Sequence, residues 1–161
     1  MQLAQVNVAR LREPMDHPLI RDFAEALAPV NALAEAAPGY VWRLQDEAGN
    51  ATAIRVFDDD LMIVNMSVWD SLDALSDFVF RTDHSGYMRR RREWFQKMEE
   101  AYAALWWVTD GHEPSPQEAR DRLEHLRVHG PTAYAFTFRA AFPPEEEGGV
   151  QAPTGRRTFE R

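Results

Sequence analysis

The stretch LMIVNMSVW, residues 61–69, sets the tightest limit on the fold. It alternates as a β-strand does, with Met62, Val64, Met66 and Val68 on one face and Leu61, Ile63, Asn65, Ser67 and Trp69 on the other. A strand apolar on both sides belongs inside a sheet that is covered on both faces. The first face suits a layer of helices. The second sets two polar side chains, Asn65 and Ser67, among large apolar ones.

QLAQVNVA near the N-terminus repeats the arrangement, with Ala4, Val6 and Val8 opposed to Leu3, Gln5, Asn7 and Ala9. YVWRLQ at 40–45 alternates with Tyr40, Trp42 and Leu44 against Val41, Arg43 and Gln45. TAIRVF offers a further short extended piece, Asp58 to Asp60 a turn, and AALWWVT and TAYAFTFRA two more strands.

Helical spacing links Ile20, Phe23, Leu27, Val30 and Leu33 after Pro18, with Pro29 predicting a kink or two abutting helices and Pro38-Gly39 a stop. A helix capped by Asp70 or Ser71 turns Leu72, Leu75, Phe78 and Val79 inward. A second stripe runs through His84, Tyr87, Met88, Arg91, Phe95 and Met98. Ser115, Pro116 and Glu118 supply a cap, a first-turn proline and a capping-box acid for a helix ending before Gly130.

This order predicts an α+β fold, a ferredoxin-like antiparallel sheet with helices on one face. One domain is expected over 1–142 and a flexible tail over 143–161. The sheet's other face, with Leu3, Leu61, Ile63 and Trp69, is too apolar for water. A second copy is expected to cover it, giving a homodimer, a dimeric α/β barrel around a partly polar cavity.

The formal net charge of -8 argues against nucleic acid as a partner. The absence of cysteine excludes disulfides and thiolate chemistry. No segment reaches the roughly 18 apolar residues of a membrane span, and the start lacks a secretion signal, so a cytoplasmic protein is expected.

The face expected to lie away from the helices collects Gln5, Asn7, Arg43, Gln45, Asn65, Ser67 and Trp69. A few amides and one guanidinium in an apolar pocket can orient a small ligand, or can simply bond to one another. His84, with an ordinary pKa near neutrality, is the best available general base. Tyr87 and Arg91 share its stripe and could reach the same ligand. The run Arg89 to Arg92 reads as a solvated, salt-bridged helix, and Trp94, Trp106 and Trp107 as packing residues. His125 and His129 have a spacing that can hold a metal, but their neighbours do not support one, and no metal site is expected.

AQVNVARL, GYVWRLQDEAGNATAIRVF, VNMSVWDSLDALSDFVFR, RRREWF, LWWVTDGHEPSPQEARDRLEHLRVHGPTAYAFTFR and FPP together resemble the bacterial family called domain of unknown function 3291, over about residues 2–144. That family is similar to the dimeric α/β-barrel superfamily, which includes antibiotic biosynthesis monooxygenases, haem-degrading monooxygenases and cofactor-independent enzymes acting on aromatic polyketides. Asn7 resembles the first-strand asparagine of the haem-degrading members, and Val68-Trp69 their strand end. His84 resembles the second histidine of a His-x-x-Ser/Thr-x-His helix pattern. Phe78 departs from that pattern at its first histidine, and Met88 stands in the region of the haem-ligating histidine, which argues against haem degradation.

The resemblance implies a protein holding a small apolar or aromatic molecule, acting as a cofactor-independent monooxygenase-like enzyme. His84 would remove a substrate proton, Asn7, Asn65 or Arg43 would stabilise the enolate oxygen, and Trp69, Gln5, Ser67, Tyr87 and Arg91 would contact the ligand. The alternatives are a non-catalytic small-molecule-binding or stress-associated dimer, and a protein binding haem through His84.

Overall fold

The computed structural model describes residues 1–81 and 85–145, the side chains of 85–88 excepted. His84 therefore lies outside the described residues, as do the side chain of Tyr87 and most of the expected tail. The chain runs β1 (Gln2–Arg10), a short 3-10 turn (Pro18–Ile20), α1 (Arg21–Ala36), β2 (Tyr40–Arg43), β3 (Met62–Trp69), α2 (Leu72–Arg81), α3 (Ser85–Trp94), β4 (Ala103–Val108) and α4 (Pro116–His129). The strands form one sheet in the order β2-β3-β1-β4, every pairing antiparallel. This is the ferredoxin-like plan, with β3 and β1 at the centre.

Register decides which side chains share a face. β1 and β3 pair from Leu3↔Trp69 to Arg10↔Met62, so Gln5 faces Ser67 and Asn7 faces Asn65. Leu3 and Trp69 at one end of this face pack with Leu75, Leu72 and Phe78 of α2 and Ala34 of α1. At the other end Ile63, Ala9 and Leu11 pack with Phe23 and Leu27 of α1 and Trp94 of α3. The polar face thus lies beneath α1, α2 and α3, the reverse of the arrangement expected from polarity.

The opposite face is also covered. Ala119, Leu123 and Leu126 of α4, which packs on β4 and β1, join Ala4, Val6, Val8, Val64, Met66 and Val68 in one buried cluster. Small and branched side chains make this a smooth surface, and one helix with an alanine at its point of approach fits it closely. Both faces are thus packed within one chain: the face with Leu3, Ile63 and Trp69, which was expected to need a second copy, by α1, α2 and α3, and the opposite face by α4.

Other differences have local causes. A bulge between Tyr40 and Trp42 aligns Tyr40 with Trp69 but Trp42 with Val68, separating two aromatics that strict alternation had placed together. TAIRVF forms turns rather than a strand, because Asn50 Oδ1 accepts from both the Thr52 amide and its hydroxyl, and the Ile54 amide bonds to Ala51. Ile54, Val56 and Phe57 nevertheless pack beneath α4's face of the sheet.

The expected last strand is reduced to one bridge, Leu105↔Phe136, with threonine turns at Thr132 and Thr137 on either side. α1 continues through Pro29, whose exposed position lets water take the carbonyl the proline cannot serve. Leu33 is exposed, and Ala34 and Ala37 pack in its place. α3 ends at Trp94, so Phe95 and Met98 leave the expected stripe; Phe95 bridges Leu11 instead. No helix among the described residues is long and apolar enough to cross a membrane.

Candidate functional site

Between the two apolar clusters beneath the helices lies a run of polar side chains. Trp69 anchors one end, stacked on Phe78 at 5.1 Å and meeting Tyr40 edge-on at 5.7 Å. Its indole Nε1 donates to Ser67 Oγ at 2.8 Å. Gln5 Nε2 donates to the same oxygen at 2.8 Å and to Asn65 Oδ1 at 2.8 Å. Asn7 Nδ2 donates to Gln5 Oε1 at 3.2 Å and to Asn65 Oδ1 at 3.3 Å.

The wiring can be followed atom by atom. Gln5 spends both amide hydrogens and Asn7 spends both of its own. Ser67 Oγ accepts twice, as does Asn65 Oδ1. What remains among the described residues is the Asn65 amide with two N–H groups, the Ser67 hydroxyl hydrogen, and two acceptors, Asn7 Oδ1 and the second lone pair of Gln5 Oε1.

Asn65 is exposed, although it sits in the middle of a central strand whose neighbours Val64 and Met66 are buried. An exposed side chain there requires an opening between the clusters at either end. The floor of that cleft is the amide pair, Asn65 and Asn7; Gln5 and Ser67 lie buried beside it. The structure thus brings together five of the expected residues, Gln5, Asn7, Asn65, Ser67 and Trp69, as one hydrogen-bonded group.

Arg43 is separate. It aligns with Ser67 across β2 and β3, yet its Nε donates to Glu35 Oε1 at 2.7 Å, which holds the guanidinium at the end of α1. Burial pushes the Tyr40 phenol above the ordinary tyrosine range, Arg43 opposes the shift, and Glu35 adds to it. Sequence reasoning missed Glu35 and this role of Tyr40. The available signal was the tight turn at Gly39, which folds α1 directly onto β2 and brings residue 35 back to residue 43.

Arg91 lies over the Tyr102 ring at 5.6 Å. Arg90 carries the ion pairs of the basic run, to Asp22 at 2.7 Å and Glu93 at 2.9 Å, and covers Trp94, as a solvated helix requires. Trp94 and Trp106 are buried, and Trp107 donates to the Phe142 carbonyl at 2.8 Å. Glu118 does not close a capping box: its carboxylate accepts from Trp106 Nε1 at 2.9 Å and faces His112 Nε2 at 2.7 Å. His125 and His129 rings are 4.4 Å apart, and His125 Nε2 meets Thr132 Oγ1 at 3.2 Å. Among the described residues no three metal-ligating side chains converge.

Fold and cleft together define an α+β protein of ferredoxin-like plan with an amide-floored opening between sheet and helices. The chain belongs to the family described as a domain of unknown function, DUF3291, whose model matches residues 2–152. No curated protein matches it. Among solved structures it is similar to SnoaB, a cofactor-independent oxygenase from Streptomyces nogalater, at 17% identity over 68% of this chain and 94% of that one, TM-score 0.46. A variant of SnoaB is similar at 16% identity over 71% and 98%, TM-score 0.46. A protein of Chloroflexus aurantiacus named for the antibiotic biosynthesis monooxygenases is similar at 16% identity over 70% and 98%, TM-score 0.42.

Proposed function

We propose that the cleft holds a small aromatic molecule by an acidic carbonyl or phenol oxygen, and that the protein oxygenates it without a cofactor. The observation that carries this reading is the exposed Asn65 amide, fixed by two bonds to its own Oδ1 and, among the described residues, left with both N–H groups for a ligand. Preorganised neutral donors are suited to an oxygen that gains negative charge, because they need not reorganise as that charge develops. Apolar clusters on either side supply the surface a flat ring would cover.

In this reading a substrate C–H is deprotonated, with His84 as the expected base, and the charge is held as an enolate at Asn65. The carbanion gives its electrons to dioxygen and forms a C–O bond, and the hydroperoxide loses water to leave a ketone. For an anthrone the balance is one dioxygen consumed, one quinone and one water formed. Floor and walls come from one chain, so the reading needs no second copy.

Incubation with 1,8-dihydroxyanthrone in air tests it. Quinone absorbance rising with oxygen uptake, and falling with Asn65→Ala, is the expected result. Retention of the anthrone without product makes the protein a carrier; no retention ends the reading. A Soret band on adding haemin would favour the haem-binding alternative instead.

A further inference from the structure

We propose that Gln5 is a positioning residue that sets which end of the Asn65 amide meets the ligand, and so makes the cleft select an oxyanion over a neutral hydroxyl. This rests on the cleft being the ligand site. The side chain of Asn65 can present either its N–H pair or its oxygen to the opening, and the two choices favour opposite ligands. An N–H pair binds an acceptor, above all an anion; an exposed carbonyl oxygen binds a hydroxyl.

The choice is made one strand away. Gln5 Nε2 is placed 2.8 Å from Asn65 Oδ1 and 2.8 Å from Ser67 Oγ, so Asn65 must turn its acceptor toward β1. Asn7 Nδ2 supports the same orientation at 3.3 Å. Gln5 is itself held, by Ser67 on one side and by the Asn7 bond to its Oε1 at 3.2 Å on the other. Trp69 completes the arrangement: its indole can only donate, at 2.8 Å, so with Gln5 it fills the acceptor capacity of Ser67 and leaves the serine hydrogen as one more donor.

A carboxylate at position 5 can only accept. It would draw the Asn65 N–H groups and the Ser67 hydroxyl toward itself and leave the Asn65 oxygen facing the cleft. The polarity of the floor would then be reversed by a near-isosteric substitution that never touches the ligand.

The test uses 4-nitrophenol, whose phenolate and phenol are told apart by absorbance, held at the pH of its own midpoint with the full-length protein in excess. Wild type should enrich bound phenolate over phenol. Asn65→Ala should return the ratio to that of free solution. Gln5→Glu should lower it about tenfold from the wild-type value, roughly what one hydrogen bond to a charged oxygen contributes. In an Asn65→Ala background Gln5→Glu should change nothing, since its effect runs through Asn65 and not through its own charge. Gln5→Met, which brings no charge, should lose most of the phenolate excess, and keeps the test valid if the glutamate variant does not fold.

A wild type that does not bind the probe overturns the reading of the cleft itself. Phenolate enrichment lost in Asn65→Ala but kept in both Gln5 variants overturns the role of Gln5 alone. A Gln5→Glu effect that persists without Asn65 does the same.

Discussion

Ser67 Oγ lies 2.8 Å from the indole nitrogen of Trp69, which ties the large ring of the apolar cluster to the amide floor of the cleft. The two residues are neighbours on one face of β3, two positions apart, and both are buried. Ser67→Ala removes an oxygen that accepts from Trp69 and Gln5 at once. The variant should lose about 1–3 kcal/mol of stability, the cost of stranding buried donors, as read from the urea midpoint. A loss below about 0.5 kcal/mol, the scatter of a surface change, would mean that water replaces the hydroxyl.

Asn65→Ala should separate stability from function. The side chain is exposed, so the melting temperature should shift by only a few degrees, whereas anthrone oxidation should slow on the order of a hundredfold, the usual effect of losing one oxyanion donor. Equal turnover in both proteins would place the chemistry elsewhere.

Gly39 makes the turn from α1 to β2 with φ at 83°, and a Cβ there would stand 2.4 Å from Ala74 Cβ. Gly39→Ala therefore combines backbone strain of about 1–2 kcal/mol with a steric contact of similar size. Adding Ala74→Gly should recover the steric part and leave the strain, a split that a double-mutant cycle in urea would expose.

The raised pKa of Tyr40 has a defined sign. Its phenol ionises less readily in the folded chain than in the unfolded one, so its contribution to stability is complete below the ordinary tyrosine value near 10 and is lost as pH climbs through the higher folded value. Stability of the wild type should decline more steeply above pH 10 than that of Tyr40→Phe. Superimposable alkaline profiles would remove Tyr40 from the account.

Ser115 caps α4, its Oγ accepting from the Glu118 amide at 3.1 Å. Ser115→Ala should cost about 1 kcal/mol in thermal or urea unfolding. Ser115→Asp, which keeps an acceptor and adds favourable charge at the helix start, should restore it.

The strands and helices of the ferredoxin-like core could be read from periodicity, because Val64, Met66 and Val68 alternate cleanly and Leu72, Leu75 and Phe78 recur at helical spacing. The assignment of faces could not. Polar groups suggest water only while they lack partners, and the partners of Gln5 become visible only when β1 is set against a strand about sixty residues away. The bulge beside Tyr40 and the course of α4 are likewise settled by tertiary packing. The amide group was legible as a set of residue types on one face, but its direction of donation depends on register.

The cover that α4 gives to Ala4, Val6 and Val8 also fixes an order of events at the ribosome. These residues emerge well before Leu123 and Leu126, which follow on the order of a hundred residues later, a separation that slows folding by the entropy of closing so long a loop. Until α4 leaves the exit tunnel the valine surface of the nascent chain stays wet, and it is there that a chaperone would find its grip.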